Sequence, residues 1–257
     1  MPNHVRNSIQ FGRMEDAAYN AVVAEMVLND GDDLMQFDFN RLIPMPESLD
    51  ISSGTKTNVA ISLYQSVSSL ESPEAQLGEV ENVPVYANGR LKSEIENAGL
   101  NASDPDVLKK FLETDIGKSL LALGEIAFTN IQKYGDPTWY EWCTRNWGTK
   151  WNSYDLELDA GKKTISFSTA WSCPHPIVRA FAAKFPGIDF DWNYADEDIG
   201  CNTGFYCQEG GVLSCTEHDD CSSDAIETYV TCWGATDGVY KDGNGKWCFD
   251  SGDEDSD

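Results

Sequence analysis

The stretch IDFDWNY, residues 188–194, decides the fold class, because apolar and polar side chains alternate along it without a break. The first, third, fifth and seventh side chains are apolar or aromatic, and the three between them are Asp189, Asp191 and Asn193. A period of two is typical of a β-strand with one covered face and one solvated face. The stretch therefore predicts an antiparallel sheet.

The segments before this strand complete a recognisable order. A helical stripe runs from Pro174 to Phe185, and two alternating segments, 154–158 and 165–171, form a hairpin around DAGKK. Near the start, residues 5–11 have the period of a strand and residues 14–28 that of a helix. The resulting βαββαβ-like order, with one extended segment to spare, predicts an α+β fold of the split ferredoxin-like kind, with helices on one side of the sheet.

The same patterns divide the chain into four parts. Residues 1–50 and 137–200 form the ferredoxin-like domain, and residues 51–136 form a mostly helical insertion, in which one helix runs from about Asp104 past Leu123. Residues 201–250 form a short β-rich acidic tail, which either extends the sheet or stands as an all-β appendage. Its predicted strands include TYVTCW (228–233), and DGNG (242–245) is a hairpin turn. Residues 251–257 are predicted to be disordered.

Several sequence blocks resemble the YubB ferredoxin-like domain family, whose members are accessory proteins of bacteriophages and plasmids. The blocks are MPNHVRNSIQF (1–11), FDFNRLIPMPESL (37–49), WYEWCTRNWGTKWNSYD (139–155), FSTAWSCPHPIVRAFAAKFPGIDF (167–190) and YADEDIGCNTGFY (194–206). The resemblance implies a ferredoxin-like fold and an origin on a mobile element. It implies no reaction, and the 50–135 insertion and the Cys-rich tail depart from the family's pattern.

Charge is the strongest indication of function. The formal net charge is −25, and residues 185–240 contain 12 Asp and Glu but no Lys or Arg. Such a surface repels phosphate backbones and anionic membranes and attracts basic grooves. We therefore expect a protein partner with a basic groove, and no direct binding of nucleic acid or membrane. The carboxylates predicted to bind it are Asp189, Asp191, Asp196, Glu197, Asp198, Glu217, Asp219, Asp220 and Asp224. The alternatives are a merely solvated acidic sheet face and a Mg²⁺ or Ca²⁺ site.

An aromatic block between residues 139 and 154 offers a second candidate surface. Trp147, Lys150 and Trp151 are its candidate partner-binding residues, and they have three interpretations: packing at a turn, a protein-binding surface, or a platform for stacked bases. Base stacking is disfavoured because only Arg145 and Lys150 accompany the aromatic residues, too few cations to neutralise phosphates.

The cysteines leave three states open. Cys215, His218 and Cys221 form a C-x2-H-x2-C pattern that could hold Zn²⁺, but no C-x2-C pair accompanies it. Disulfides and free packed thiols are the other interpretations, and we expect no cofactor. A nucleophilic pair of Cys173 and His175 is a further alternative, although no known catalytic motif occurs and no catalytic residue is predicted.

Together these features predict a non-enzymatic phage or plasmid protein that blocks a host nucleic-acid-based defence system. The acidic face would occupy the basic cleft of a CRISPR or restriction nuclease; a further resemblance, to phage-borne inhibitors of type V CRISPR nucleases, favours CRISPR. The chain shows no signal peptide or membrane span, so a cytoplasmic location is expected. The alternatives are a metal-dependent nuclease or RNA-processing enzyme that uses the acidic residues, and a regulatory module whose aromatic block binds a peptide.

Overall fold

The computed structural model describes residues 3–29, 35–71 and 86–250. The predicted disorder of residues 251–257 lies outside them. The chain divides into two compact units: a sheet unit of Met1–Pro44 with Cys143–Asp257, and a helical unit of Met45–Trp142. No helix within the described ranges is both long enough and apolar enough to cross a membrane.

The strands are named in chain order. They are β1 (His4–Gln10), β2 (Val27–Asn29), β3 (Met35–Phe37), β4 (Tyr154–Asp159), β5 (Thr164–Ala170), β6 (Phe190–Asp196), β7 (Gly204–Glu209), β8 (Val212–Glu217), β9 (Val239–Lys241) and β10 (Trp247–Phe249). The helices follow the same convention. They are α1 (Asp16–Met26), α2 (Thr55–Glu71), α3 (Tyr86–Asn97), α4 (Val107–Leu112), α5 (Asp115–Tyr134), α6 (Trp139–Asn146), α7 (His175–Lys184) and α8 (Ser223–Trp233). Two 3-10 turns, Phe39–Arg41 and Glu47–Leu49, lie between β3 and α2.

One six-stranded sheet organises the sheet unit. Its order is β4-β5-β1-β6-β7-β8, and every neighbouring pair is antiparallel. The first four strands, with α1 after β1 and α7 after β5, have the split βαββαβ arrangement. The predicted ferredoxin-like α+β class is therefore confirmed.

The first face of the sheet carries the core of this unit. Phe37 stacks on Phe167 with their ring centroids 4.7 Å apart, and Phe181 of α7 contacts Trp192 at 5.8 Å. All four side chains are fully buried. The alternation that the sequence shows along β6 thus points its aromatic side chains into this core.

The second face is covered as well, which corrects the expectation of helices on one side only. Helix α8 lies across it, and the indole N–H of Trp233 donates to the carbonyl oxygen of Ala195, 3.1 Å away. The segment 228–233 is thus part of α8, and its prediction as a strand is wrong. Ile226, Tyr229 and Trp233 recur at spacings of three and four residues, so the helix presents an apolar stripe to the sheet.

The other residues predicted to form a tail belong to the sheet unit. Strands β7 and β8 extend the sheet, which was one of the two alternatives. Strands β9 and β10 form the predicted hairpin around residues 242–245, closed by the N–H of Asp242 donating to the carbonyl oxygen of Lys246 at 2.8 Å.

The helical unit is built around α2 and α5. The single helix predicted from about Asp104 past Leu123 is wrong, because α4 ends at Leu112 and Thr114 caps a new helix by accepting from the N–H of Gly117 at 3.0 Å. Gly124 has a packing role: a Cβ there would lie 2.1 Å from the carbonyl oxygen of Ala60. Only a residue without a side chain permits this close approach of α5 to α2.

Candidate interaction surface

Two loops come together where β6 ends and β1 begins. In the first loop the N–H of Cys201 donates to the carbonyl oxygen of Asp198 at 3.0 Å. The N–H of Cys221, in the second loop, donates to the carbonyl oxygen of Gly200 at 2.9 Å. Glu197, Asp198, Asp219 and Asp220 are exposed on these loops, and we call these four residues the acidic end.

Carboxylates from both loops of the acidic end act on the thiol of Cys201. The pKa of this thiol is raised, first by partial burial and then by the negative charges of Asp220 and Asp198. Carboxylates from both loops therefore act on the same thiol, although Asp198 and Asp219 are 21 positions apart in the sequence.

Asp196 holds the first loop in place from inside. Its side chain is 5% exposed and accepts from the Asn3 side-chain amide at 3.2 Å, the N–H of Asp198 at 3.1 Å and the Asn202 side-chain amide at 3.5 Å. A buried carboxylate that is satisfied by amide donors shapes a loop rather than meeting a partner. The prediction that Asp196 contacts a partner directly is therefore wrong.

The backbone of both loops adopts conformations that fix their course. Asn202 and Cys221 have φ values of 45° and 57°, which side-chain-bearing residues seldom adopt. At Gly200, with φ of 74°, a Cβ would lie 3.2 Å from the Cα of Cys221. The glycine thus permits the close approach of the two loops.

In the part of the chain that the structure describes, the carboxylates of the acidic end have no ion-pair partner. Glu197 accepts from the N–H of His4 at 3.1 Å, and Asp198 accepts from the Asn3 side-chain amide at 3.1 Å. Hydrogen bonds to neutral donors leave the negative charge available to a partner.

Trp171 is an exposed aromatic residue beside the acidic end. The residue is 44% exposed and its φ is 69°. The backbone N–H of Trp171 donates to the carbonyl oxygen of Asn3 at 2.9 Å. The backbone carbonyl oxygen of Trp171 accepts from the side-chain amide of Asn202 at 3.2 Å. The side-chain amides of Asn3 and Asn202 also donate to Asp196, so one network positions both Trp171 and the first loop.

The predicted aromatic block is divided between packing and surface. Trp147 is 3% exposed, its indole N–H donates to the carbonyl oxygen of Ile43 at 2.8 Å, and its ring meets Phe39 edge-on at 5.7 Å. The packing interpretation is correct for this residue, and partner binding by its side chain is wrong. The ammonium of Lys150 lies 4.6 Å from the ring centroid of Trp151 and 4.8 Å from that of Trp171.

The remaining predicted carboxylates occupy other positions in the sheet unit. Asp189, at the opposite end of β6, accepts from the N–H of Gly210 at 2.8 Å. Asp191 and Asp224 line a cavity of about 500 Å³ beside α8. Glu217 ends β8, where its negative charge acts on His175. The carboxylates that the sequence predicts as one partner-binding group therefore lie at several different places on the sheet unit.

The structure does not assemble the predicted zinc site. Along β8, Cys215 pairs with Tyr206, whose ring belongs to the first face, whereas His218 lies beneath α8 with its Nε2 3.0 Å from Oγ1 of Thr228. Cys221 precedes α8 in the second loop. Within residues 3–29, 35–71 and 86–250, no three His, Cys, Asp or Glu side chains are grouped to hold a metal ion.

Cys173 and His175 lie close in sequence but are poorly suited to nucleophilic catalysis. Cys173 is fully buried, and burial raises the pKa of its thiol well above the usual range, so the reactive thiolate is disfavoured. Nδ1 of His175 lies 2.8 Å from Oη of Tyr206, and burial lowers the pKa of the imidazole. This geometry gives His175 a packing and hydrogen-bonding role.

Sequence reasoning missed three residues of this surface: Asn3, Trp171 and Asn202. Asn202 carries a weak signal, because asparagine is one of the residue types that tolerate the left-handed backbone conformation. Trp171 carries no such signal, because it ends an alternating pattern that predicts a strand.

Comparisons with known proteins identify the class of domain. Residues 146–238 match a family model described as the ferredoxin-like domain in Api92-like protein. This part of the chain, from β4 to α8, is therefore similar to that domain in both sequence pattern and fold class. It also contains the acidic end.

Among solved structures, the chain is similar to protein api92 from Yersinia pseudotuberculosis. The sequence identity is 12%, the match covers 85% of this chain and 99% of that chain, and the TM-score is 0.38. No curated protein matches the chain.

Proposed function

We propose that this protein is a phage or plasmid accessory protein that inhibits a host nucleic-acid-based defence system, in the host cytoplasm, by binding a basic protein surface. The acidic end would take the place of phosphate in the cleft of a CRISPR or restriction nuclease. The observation that carries the proposal is a fixed group of exposed carboxylates with no paired cation among the described residues. The resemblance to the YubB family supports the mobile-element origin.

Occlusion requires no chemical step by this chain. A nuclease cleft that binds nucleic acid is lined with Arg and Lys, and carboxylates held at fixed positions can pair with those side chains. Trp171 supplies a large aromatic surface next to the charges, and aromatic residues are frequent energetic centres of protein interfaces. Preorganised loops lower the entropy cost of binding.

The test is binding to purified type V CRISPR nucleases and restriction endonucleases at two salt concentrations. The triple charge reversal Asp198→Lys, Asp219→Lys and Asp220→Lys should weaken the complex by about 100-fold, because three attractive contacts become repulsive. The unmodified complex should weaken as salt is raised, since exposed charges are screened.

A matched control carries the same change in net charge elsewhere. Glu15→Lys, Glu125→Lys and Asp237→Lys alter exposed carboxylates outside the acidic end and should leave binding close to that of the unmodified protein. Equal loss of binding in both triple variants would mean that total charge, and not this surface, governs the interaction. Binding that ignores salt and the first triple variant would contradict the proposal.

A further inference from the structure

The two edges of the six-stranded sheet differ in how well they are protected. At the β4 edge, the register shifts between Tyr154 and Glu157, Asp155 has a φ of 51°, and charged side chains recur along the strand. Bulges and charges are devices that prevent an edge from pairing with another chain. The β8 edge has neither over most of its length: its register with β7 is regular, and residues 212–216 (VLSCT) contain no charge and no proline.

The backbone of β8 offers a set of outward hydrogen-bonding groups. Gly210 and Gly211, with φ of 56° and 79°, form the two-residue turn of the β7–β8 hairpin, so Val212 faces Glu209 in a hydrogen-bonded pair. Hydrogen-bonded and non-hydrogen-bonded pairs alternate along an antiparallel ladder. The N–H of His218 donates to the carbonyl oxygen of Thr203, so every second residue from Val212 to His218 bonds toward β7.

It follows that the N–H and C=O groups of Leu213, Cys215 and Glu217 point away from β7. In the part of the chain that the structure describes, no other strand pairs with β8. Five of its six residues are exposed, and Val212 is 71% exposed. At every second position the edge therefore presents a residue with an outward-facing backbone donor and acceptor, as an incoming strand requires.

We propose that β8 is a β-augmentation site, at which a cationic extended segment of a partner protein adds a seventh strand to the sheet. Main-chain hydrogen bonds to Leu213, Cys215 and Glu217 would supply affinity, and side-chain pairing would supply selectivity. The inference rests on the proposed function in taking the same basic partner, and it adds where and how a segment of that partner binds.

Charge identifies the occupant as a basic segment. Glu209 lies at the turn end of the edge, and Glu217, Asp219 and Asp220 lie at the other end. An incoming strand with Lys or Arg would therefore meet carboxylates at both ends. A segment rich in Asp or Glu would be repelled.

The same charges disfavour a second copy of this chain. Antiparallel self-pairing through the outward groups would centre on Cys215 and place Leu213 of one copy opposite Glu217 of the other. The same register brings Glu209 of one copy near Asp219 and Asp220 of the other. Like charges would then face each other at both ends of the pairing, on two molecules that each carry a net charge of −25.

Amide hydrogen exchange of the full chain, followed by NMR, tests the inference with a defined probe. The probe is a capped heptapeptide of alternating Lys and Val, and its control replaces each Val by Pro, which keeps the charge but cannot form a central strand. With the Val peptide, exchange at the amides of Leu213, Cys215 and Glu217 should slow by about tenfold or more. With the Pro peptide, these three amides should be unaffected.

A pair of variants tests the outward N–H directly. Cys215→Pro removes the central outward donor without breaking a main-chain hydrogen bond to β7, and proline is tolerated at such edge positions. Cys215→Ala keeps the donor. We expect the Pro variant to bind the Val peptide at least tenfold more weakly than the Ala variant. Should Cys215→Pro fail to fold, hydrogen exchange of the unmodified chain still decides the question.

Three results would overturn the inference: equal protection by both peptides, equal binding by the two variants, and protection of the three amides by self-association without peptide. The proposed function fails separately. If the triple reversal at the acidic end leaves nuclease binding intact while the Val peptide still protects β8, the edge site stands alone. If the triple reversal weakens nuclease binding but the Val peptide does not protect β8, the acidic end is supported and the edge site is not.

Discussion

Trp147 and Trp171 belong to the same stretch of the sheet unit but serve opposite purposes. Trp147 fills the space beside Phe39 and uses its indole N–H on the carbonyl oxygen of Ile43, so its whole side chain is engaged in packing. Trp171 has its backbone fixed and much of its indole exposed. At the residue scale, exposure separates the residue that stabilises from the one that is available to a partner.

This difference predicts the effect of truncating each indole on stability. Trp147→Ala should lower the free energy of unfolding by about 3–5 kcal/mol, as expected for removing a large buried aromatic side chain. Trp147→Phe keeps most of the packing but leaves the carbonyl oxygen of Ile43 without its donor, and should cost less. The matched control, Trp171→Ala, should change stability by less than about 1 kcal/mol. Urea denaturation measures all three, and similar losses at both positions would contradict the assignment.

Helix α8 shows how one element gives the sheet a second covered face. Ser222 accepts from the N–H of Ala225 at 3.1 Å and so caps the helix at the end of the second acidic loop. Asp224 adds a negative charge in the first turn, where the helix dipole favours it. The cap thus connects the position of Asp219 and Asp220 to the packing of α8.

Removing this cap should weaken the helix that covers the second face. Ser222→Ala should reduce the free energy of unfolding by about 1 kcal/mol, the usual cost of losing an N-cap side chain. Ser222→Asp, which keeps an acceptor at the same place, should be close to neutral. Both values come from urea denaturation followed by far-UV circular dichroism. A neutral Ser222→Ala would show that the side-chain cap does not support α8.

The elements also show what could be read from the sequence. Strand β6 was predictable because its period-2 pattern coincides with real faces of the sheet, and the β4–β5 hairpin and α7 follow the same logic. Helix α8 was not, because residues 228–233 are rich in β-branched and aromatic side chains and its apolar stripe begins earlier, at Ala225 and Ile226. Local propensity was overridden there by packing on the sheet.

The sequence predicts that the candidate site is acidic, but it does not predict which carboxylates form it. Composition indicates an acidic surface, but the position of each carboxylate depends on strand pairing between distant segments. Asp196 and Asp198 are two residues apart, yet the first is buried by Asn3 and Asn202 and the second is exposed. No local pattern distinguishes them, because the contacts that bury Asp196 come from the other end of the chain and from the following loop.

At the scale of the whole molecule, the excess of negative charge opposes compactness. A formal net charge of −25 on 257 residues means that folding brings many like charges together, and only part of this repulsion is offset by ion pairs such as Lys163–Asp16 and Lys184–Glu25. Both of those pairs lie away from the acidic end. The chain therefore keeps an unbalanced region that a cationic partner, or dissolved salt, can relieve.

Salt should stabilise this protein, in contrast to a protein held together by surface ion pairs. Raising NaCl from low to near-molar concentration shortens the Debye length from about 30 Å to about 3 Å, so the repulsion among the carboxylates is screened. We expect the free energy of unfolding to rise by about 1 kcal/mol or more, and the midpoint of thermal unfolding to rise by a few degrees. The Asp198→Lys, Asp219→Lys and Asp220→Lys variant should respond less, because it carries less repulsion at low salt. Differential scanning calorimetry of both proteins across the salt series provides the measurement, and a melting temperature that falls with salt in the unmodified chain would show that its ion pairs outweigh its excess charge.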